Sequence, residues 1–233
     1  MKTLKDKAIV VTGAGSDIAG AVQEALAQSG ARPILVDRDV IRIRARAESY
    51  GTLAIEEDLL TAESARRTAE AAHARMGRVD GLVHLVGDLV PGRLEDVDES
   101  AYETAFDSNV RTLFHAVRAF LPLLKRQREA FIASLGAQQA FQGGSPGATL
   151  YAAAKGASAT LLRSLDAELA GTSVDVTIVT PLAPVDTERG RRVLTGHGEG
   201  GWITPQAVGA AFRAAALTGE GGRLLELPLH PPR

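Results

Sequence analysis

Residues 8–20 read Ala-Ile-Val-Val-Thr-Gly-Ala-Gly-Ser-Asp-Ile-Ala-Gly. A short apolar run, Ala8 to Val11, leads through a glycine-bearing turn into a helical pattern that begins at Ile18 and ends at Ser29. Glycines let the backbone of such a turn approach a pyrophosphate, and the helix N-terminus offers unpaired N–H groups with about half a positive charge. This stretch therefore predicts a strand, an anion-binding turn and a helix, which together open an α/β fold.

The same alternation continues along the chain. Further strands are predicted at 33–36, 52–55, 82–86, 130–133, 174–179 and 223–227, with helices at 38–50, 61–76, 100–128 (a pair), 149–170 and 205–217. Runs that are apolar on both faces suit a parallel sheet covered by helices on each side, and right-handed crossovers make such a sheet doubly wound. The predicted fold class is α/β, with a doubly wound, Rossmann-like parallel sheet of seven strands.

The composition is that of an ordinary globular protein. Hydrophobic residues make up 45% and charged residues 23% of the 233-residue chain, which excludes a disordered or fibrous protein. A formal net charge of -2 provides no basic field for nucleic acid or an anionic membrane. No run approaches the roughly 18 apolar residues of a membrane span. We expect a cytoplasmic, soluble protein of one domain, residues 1–233, with no nucleic-acid or membrane partner.

Cysteine and histidine usage argues against metal chemistry. The chain has no cysteine, so disulfides and thiolate nucleophiles are excluded. Its five histidines are scattered, and none pairs with another at ligand spacing. We predict no metal site.

The second predicted strand ends in an acidic residue, Asp37. It follows the glycine turn by about 20 residues, where a carboxylate can accept hydrogen bonds from the adenine ribose hydroxyls and repel a 2′-phosphate. This position favours NAD over NADP as cofactor, although the neighbouring Arg38 leaves NADP open. The alternative is that Asp37 caps the next helix.

A tyrosine and a lysine stand four residues apart in Tyr151-Ala152-Ala153-Ala154-Lys155. One helical turn places them on the same face. An ammonium near the phenol favours the phenolate and pulls a pKa that starts near 10 toward neutrality. The pair therefore predicts a tyrosine that serves as acid and base.

Together these motifs resemble the short-chain dehydrogenase/reductase family, classical type, over nearly the whole chain. The residues that carry the resemblance are Thr12-Gly13, Asp37, Asp58-Leu59, Asn109, Tyr151, Lys155 and the segment from Pro181 to Thr187. The resemblance implies an NAD(P)-dependent oxidoreductase that interconverts an alcohol and a ketone by hydride transfer. It implies that Tyr151 exchanges a proton with the substrate oxygen, that Lys155 also holds the nicotinamide ribose, and that Asn109 anchors a relay water.

The resemblance also assigns a cofactor site. It implies that Asp58 meets the adenine and that Thr187 touches the carboxamide; the alternatives are a solvated helix start and an ordinary cap. The predicted cofactor-binding residues are Gly13, Ser16, Asp17, Ile18, Asp37, Asp58, Leu59, Gly87, Tyr151, Lys155 and Thr187.

The first turn departs from the family pattern Thr-Gly-x-x-x-Gly-x-Gly, because Asp17 and Ala19 replace two glycines. A carboxylate about 4 Å from a pyrophosphate costs roughly 1 kcal/mol in bulk water and about 4 kcal/mol at an effective dielectric of 20. Asp17 either weakens cofactor binding in this way, or it caps the helix or points into solvent. Gly15 and Gly20 offer partial compensation.

Two further departures lie beside the expected reaction centre. Where the family has Asn-Asn-Ala-Gly, this chain reads His84-Leu85-Val86-Gly87, and we interpret His84 as a packed core residue rather than a proton carrier. Where the family has a serine, thirteen residues before the tyrosine, this chain has Gln138, whose amide can still donate to a substrate oxygen. Ser134 is the alternative if the loop is realigned by four residues.

Two functions follow. We favour the oxidoreductase, acting on a small-molecule alcohol or carbonyl substrate with Tyr151, Lys155, Asn109 and Gln138 as the catalytic set. The alternative is a family-fold protein without catalysis that acts as a nucleotide-sensing or scaffold subunit. The resemblance also implies a homo-oligomer, a tetramer or dimer, formed through the helices that carry Asn109 and Tyr151. By the same analogy residues 187–204 form a lid, with a mobile glycine-rich patch at 196–201.

Overall fold

A computed structural model describes residues 1–194, 201–218 and 224–232. Its strands form one sheet in the order β3-β2-β1-β4-β5-β6-β7, and every neighbouring pair is parallel. The strands are β1 (Ala8–Thr12), β2 (Arg32–Asp37), β3 (Ala54–Glu56), β4 (Gly81–His84), β5 (Ala130–Leu135), β6 (Val174–Pro181) and β7 (Glu226–Leu229). The predicted doubly wound, Rossmann-like α/β fold is confirmed.

The helices alternate with these strands. They are α1 (Asp17–Gln28), α2 (Val40–Ser49), α3 (Ala62–Met76), α4 (Glu99–Phe106), α5 (Thr112–Leu124), α6 (Gln138–Phe141), α7 (Thr149–Glu168), α8 (Glu188–Val193) and α9 (Pro205–Ala216). A π-helical turn, Asp107–Arg111, joins α4 to α5. The expected pair of helices over 100–128 is therefore almost continuous, with Asn109 in the wide turn between its halves.

Several boundaries differ from the sequence-based prediction. Strand β4 ends at His84 instead of residue 86. The next two residues, Leu85 and Val86, line a cleft. Strand β7 lies at Glu226–Leu229 rather than 223–227, and Arg223 is outside the described residues. Helices α6 and α8 were not predicted, since four and six residues are too few to give a periodic pattern.

Alternating side chains of the strands build a core on each face of the sheet. In β1, Ala8 and Val10 pack in the cluster that includes residues of α3, α5 and α7, whereas Ile9 and Val11 pack in the cluster that includes residues of α1 and α9. This is why β1 reads as a continuous apolar run and is buried throughout. Leu162 of α7 also lies in the first cluster, so internal packing accounts for part of the apolar character of that helix.

The order of the strands fixes where a ligand can bind. The chain moves outward from β1 to β2 and β3 and then returns to place β4 on the other side of β1. The point where the direction reverses leaves a crevice at the carboxyl ends of the strands. A cleft of about 1330 Å³ opens there, and residues that follow β1, β2, β4, β5 and β6 line it.

Candidate active site

The glycine turn after β1 approaches the neighbouring chain too closely to carry a side chain. Gly13 has a φ of 67°, and a Cβ at this position would lie 2.8 Å from the carbonyl carbon of Leu85. Ser16 caps α1, since its hydroxyl accepts the Ala19 N–H at 3.1 Å. The N–H groups at positions 17 and 18 precede the first intrahelical bond, and such groups can donate to an anion.

Asp17 is the first residue of α1, and its side chain is exposed at the cleft. The alternative that Asp17 caps the helix is wrong, because Ser16 holds that position. A carboxylate here interacts favourably with the positive end of α1, typically by 0.3–1 kcal/mol. The residue is therefore accommodated locally, while it adds negative charge where an anion would enter.

Asp37 connects the end of β2 to the glycine turn. Its carboxylate accepts the N–H of Gly15 at 2.8 Å and the N–H of Asp39 at 3.0 Å. Helix α2 begins at Val40 after Asp39, so the alternative that Asp37 caps this helix is wrong. Each carboxylate oxygen has two acceptor sites and can still receive a hydroxyl donor. Arg38 stands beside it, exposed and also lining the cleft.

Two side chains that the sequence did not single out brace this turn. Gln23 is buried and donates to the carbonyl oxygen of Ala14 at 2.8 Å. Arg46 donates to the same oxygen and to the Gln23 Oε1, each at 3.3 Å. A Cβ on Gly20 would lie 2.9 Å from the Arg46 guanidinium, so the glycine makes room for the arginine. That glycine was the one local signal of the brace.

Asp58 and Thr187, which the family pattern also assigns to the cofactor, both line the cleft. Asp58 is exposed and its carboxylate accepts the Leu60 N–H at 3.1 Å, in the turn before α3. Thr187 caps α8 by accepting the Gly190 N–H at 2.9 Å. Local turn and cap roles are therefore present for both, and any contact with a ligand comes in addition to them. Leu59, beside Asp58, is buried but reaches the cleft wall.

Tyr151 and Lys155 lie one turn apart on α7 and both line the cleft. Lys155 is 7% exposed, and its ammonium donates to the carbonyl oxygen of Leu135 at 2.9 Å. Burial lowers the pKa of Lys155 to about 8 and raises the pKa of Tyr151 to about 12. Desolvation of the phenol sets the direction of the shift in the Tyr151 pKa in this structure, so the expected pull of Lys155 toward neutrality stays a prediction.

Asn109 is held through two of its polar groups. The amide nitrogen donates to the carbonyl oxygens of Asp88 (3.0 Å) and Ala105 (2.9 Å), while the main-chain oxygen accepts from Ser158 (2.8 Å). Within the described part of the chain, the buried Oδ1 has no hydrogen-bond partner. It needs one, because an unsatisfied buried acceptor costs about 1–3 kcal/mol.

Gly87 brings this acceptor and the lysine to one place. A Cβ on Gly87 would lie 2.4 Å from the Asn109 Oδ1 and 3.3 Å from the Lys155 Nζ. Because Gly87 has no side chain, it leaves a space bordered by the Asn109 Oδ1 and the Lys155 ammonium, which we call the cradle. This cradle suits a polar ligand group or a water molecule.

His84 lies in the core and not in the cleft. It is 2% exposed, with Nδ1 2.8 Å from the Thr12 hydroxyl and Nε2 3.3 Å from the Thr112 hydroxyl. The Thr112 hydroxyl donates to the Ser108 carbonyl at 2.6 Å, so it accepts from Nε2–H, and Nδ1 then accepts from Thr12. Burial lowers the pKa of His84 to about 3, and the charge of Lys155 contributes to a lesser extent. The interpretation as a packed core histidine is confirmed.

The two candidates for the missing serine occupy different places. Ser134 is buried in β5 and donates to the His84 carbonyl at 3.1 Å, so the realigned-loop alternative is wrong. Gln138 begins α6, lines the cleft, and donates to the Gln142 Oε1 at 3.1 Å. Gln138 therefore lines the same cleft as Tyr151.

The expected lid is described only in part. Helix α8 lines the cleft, and Ile203 pairs with Val185 in an isolated bridge. Residues 196–200 of the glycine-rich patch lie outside the described residues. Arg189 of α8 forms an ion pair with Asp88 at 2.7 Å. No local pattern predicts this pair, because its members are far apart along the chain.

A sequence model described as short chain dehydrogenase matches residues 7–196. The chain belongs to the short-chain dehydrogenase family. An uncharacterized oxidoreductase of Staphylococcus epidermidis is 31% identical over 189 residues, which cover 80% of this chain and 81% of that protein. Another from Staphylococcus saprophyticus is 30% identical over 193 residues, covering 80% and 82%. This short-chain dehydrogenase is thus one of a family of oxidoreductases.

Solved structures agree on the fold. The alcohol dehydrogenase of the archaeon Thermococcus sibiricus, complexed with 5-hydroxy-NADP, matches with a TM-score of 0.86 at 26% identity and covers 97% of both chains. The 3-ketoacyl-(acyl-carrier-protein) reductase of Brucella melitensis, complexed with NADH, matches with a TM-score of 0.86 at 24% identity over 98% of both chains. The second likeness supports the fold alone.

In this short-chain dehydrogenase the residues present fit a dinucleotide. The glycine turn leaves helix N–H groups at the cleft, Asp37 retains acceptor capacity, and the cradle over Gly87 holds an orphaned acceptor beside an ammonium. Across residues 1–194, 201–218 and 224–232, no group of three metal-ligating side chains occurs. Over the same ranges, no helix is long and apolar enough to cross a membrane.

Proposed function

We propose that this short-chain dehydrogenase interconverts a small-molecule alcohol and a carbonyl compound with a nicotinamide cofactor, NAD(H) in preference to NADP(H). The observation that carries the proposal is the cradle over Gly87, where Asn109 and Lys155 approach one point in the same cleft that Tyr151 faces. Relatives that are oxidoreductases, and a structural relative complexed with 5-hydroxy-NADP, support the nicotinamide cofactor.

The residues proposed to hold the cofactor follow the cleft from one end to the other. Asp37 and Asp58 would bind the adenosine half, and the N–H groups at the start of α1 would meet the pyrophosphate. Lys155 and Thr187 would hold the nicotinamide half. The bound cofactor supplies a hydride acceptor or donor. The carboxylate of Asp37 disfavours a 2′-phosphate, which is why we propose NAD(H).

Tyr151 would move the proton. Since burial raises its pKa to about 12, the neutral phenol is the dominant form near pH 7. A neutral phenol can donate to a carbonyl oxygen, so the resting protein is prepared for the reductive direction. The reverse direction needs the phenolate, which Lys155 stabilises when its ammonium turns from the Leu135 carbonyl toward the phenol oxygen.

Asn109 and Gln138 would assist this transfer. The orphaned Oδ1 of Asn109 can accept from a water that the Lys155 ammonium also contacts, which would connect the reaction centre to a proton source. Gln138 would donate its amide N–H to the substrate oxygen in place of the family serine. Since glutamine is longer than serine, we expect small substrates to fit best.

Cofactor titration tests the proposal directly. We expect NADH to bind more tightly than NADPH, and the bound protein to oxidise NADH in the presence of a panel of small ketones and aldehydes. The quenching of intrinsic fluorescence and the loss of absorbance of the reduced nicotinamide measure the two steps. Failure of both cofactors to bind would exclude the oxidoreductase.

The comparisons do not favour the alternative of a nucleotide-sensing or scaffold subunit. The altered positions Asp17 and Gln138 remain its basis. Tight cofactor binding with no turnover on any alcohol or carbonyl compound would point to this alternative.

Three further expectations stay predictions: the single domain over residues 1–233, the homo-oligomer and the cytoplasmic location. Phe114 of α5, which is 43% exposed, lies on the helix proposed to form the subunit interface.

Asp17 provides a prediction of increased affinity. We expect Asp17→Gly to lower the Kd for NADH about five- to tenfold, because it removes a carboxylate whose repulsion of a pyrophosphate is about 1 kcal/mol or more. Isothermal titration calorimetry at low and high salt measures it, and the gain should shrink as salt screens the charge. Asp17→Asn keeps the size and removes the charge, so it should reproduce most of the effect. A Kd that is unchanged in both variants would contradict the repulsion.

A further inference from the structure

One peptide group of the glycine turn is held at both of its ends. The carbonyl oxygen of Ala14 accepts from the Gln23 amide at 2.8 Å and from the Arg46 guanidinium at 3.3 Å. The N–H of Gly15, at the other end of the same peptide group, donates to the Asp37 Oδ2 at 2.8 Å. Because a peptide group is planar, donors that hold its carbonyl also fix the direction of its N–H. The contacts of Arg46 therefore reach the Asp37 carboxylate through a rigid unit.

Arg46 acts on this peptide group in two ways. Its Nη1 donates to the Ala14 carbonyl directly and also donates to the Gln23 Oε1 at 3.3 Å. The second bond keeps the NH₂ group of Gln23 directed at Ala14, since an amide has its oxygen on one side and its nitrogen on the other. Gln23 is 0% exposed, and a reversed amide there would place two acceptors against each other. Arg46 thus selects the amide orientation that supports the turn.

Gly20 gives the arginine access to the turn. Gly20 lies in α1 and Arg46 in α2, and a Cβ on Gly20 would lie 2.9 Å from the Arg46 Nη1. A side chain at this position would move the guanidinium away from its two acceptors. Glycine inside a helix is otherwise unfavourable, because it loses more conformational freedom on folding than alanine does. The contact with Arg46 gives this glycine a structural reason.

The carboxylate reached through this peptide group is the one proposed to select the cofactor. Asp37 accepts the Gly15 N–H on Oδ2 and the Asp39 N–H on Oδ1, so both of its oxygens are fixed by the backbone. Asp37 lines the cleft, whereas Arg46 is not among the residues that line it. Any effect of Arg46 on a bound dinucleotide therefore passes through Asp37 and the turn.

We propose that Arg46 is a positioning residue for NAD(H), which holds the Ala14–Gly15 peptide group so that its N–H orients the Asp37 carboxylate toward the adenine ribose. The inference rests on the function proposed above and extends it to a residue outside the cleft. A carboxylate held in one orientation accepts from the ribose hydroxyls without a further loss of side-chain entropy. A carboxylate that is free to turn accepts less well, and it also repels a 2′-phosphate less.

Cofactor selectivity provides the first test. In Arg46→Met and in Gly20→Ala we expect the Kd for NADH to rise about three- to tenfold, and the Kd for NADPH to stay within about twofold of wild type. Loss of a positive charge by itself would weaken NADPH more than NADH, because NADPH carries an additional phosphate. It would also leave Gly20→Ala unaffected. Titrations that follow the fluorescence of each reduced cofactor measure the two constants.

Two features of these variants control for general damage. Alanine is a better helix former than glycine, so Gly20→Ala should not destabilise α1. A lower NADH affinity in this variant cannot then come from loss of the fold. Arg44→Met is the matched control for the arginine, because Arg44 is exposed on the same helix and lies outside the cleft. We expect wild-type Kd values for both cofactors in Arg44→Met.

Amide hydrogen exchange provides a second test that needs no cofactor. The Gly15 N–H is protected while it donates to Asp37, and it exchanges when the peptide group turns away. We expect its protection factor, measured by NMR, to fall about three- to tenfold in Arg46→Met and in Gly20→Ala. The amides of the central strand β1 should keep their wild-type protection in both variants, and Gly15 should keep its protection in Arg44→Met.

Each result bears on the proposal in one direction. Wild-type protection of Gly15 in both variants would overturn it, and so would a wild-type ratio of the Kd values for NADPH and NADH. Lower protection of Gly15 in a protein that binds neither cofactor would sustain the hold of Arg46 on the Asp37 carboxylate while the proposed function fails.

Discussion

Tyr151→Phe is expected to lower the rate of carbonyl reduction about 10²- to 10⁴-fold, because it removes the only group proposed to donate a proton to the substrate oxygen. The ring stays, so the packing of α7 and the affinity for NADH should change little. Steady-state assays of NADH oxidation with the best ketone of the panel measure the loss. Cofactor titration measures the affinity.

A second tyrosine, which lies outside the cleft, serves as the control. Tyr102 is exposed on α4, stacks on Phe106, and does not line the cleft. We expect Tyr102→Phe to retain the wild-type rate. Retention of the rate in Tyr151→Phe as well, within about threefold, would assign the proton transfer to another group and exclude Tyr151 as its donor.

Lys155→Met is expected to lower the turnover rate about 10²-fold or more. The same substitution is expected to raise the free energy of unfolding of the protein. Burial lowers the pKa of Lys155 from 10.5 to about 8, so keeping the ammonium inside costs about 3 kcal/mol at pH 7. Methionine fills similar space without a charge but leaves the Leu135 carbonyl unpaired. We therefore expect a net gain of about 2 kcal/mol in the free energy of unfolding at pH 7.

The gain has a defined pH dependence. Between about pH 8 and 10.5 the folded wild type has lost the Lys155 proton, while the unfolded chain still binds it. The free energy of unfolding of the wild type therefore rises with pH over this window relative to the variant. The difference between the two proteins should reach zero near pH 9.5 and reverse by about 1 kcal/mol at pH 10.5, where only the lost hydrogen bond to Leu135 still separates them. Tyr151, with its pKa raised to about 12, acts in the opposite sense above about pH 10, but it is present in both proteins.

Urea unfolding at several pH values checks this prediction. Lys125→Met is the matched control, because Lys125 is exposed at the end of α5 and its ammonium has no desolvation cost for the substitution to remove. A Lys155→Met protein that is less stable than wild type at pH 7 would mean that the hydrogen bond to Leu135 outweighs the desolvation of the ammonium.

Local sequence patterns were sufficient for the architecture. The apolar runs predicted the parallel sheet, which the structure confirmed, and the glycine turn after β1 and the acidic end of β2 both line the cleft. The spacing of Tyr151 and Lys155 predicted that they share one face of α7. These features depend on residues that are close in sequence, and local periodicity records such relations directly.

Local sequence patterns could not predict the contacts between distant segments. The orphaned Oδ1 of Asn109 exists because the π-helical turn directs its amide nitrogen to the Asp88 and Ala105 carbonyls. The brace of Arg46 on Ala14 and the ion pair of Arg189 each join elements that meet only in the folded chain. No periodic pattern marks either residue, since an exposed arginine on a helix looks the same with or without a partner.

The sequence by itself determined the doubly wound sheet, the family and the chemical identity of the groups at the cleft, because these depend on residue type and short spacing. Only the tertiary structure decided the electrostatic state of those groups. Spacing places an ammonium near the phenol of Tyr151, but the extent of burial decides whether attraction or desolvation controls its pKa. Burial is a property of the whole packed chain, and here it keeps the phenol protonated and brings the pKa of Lys155 to about 8.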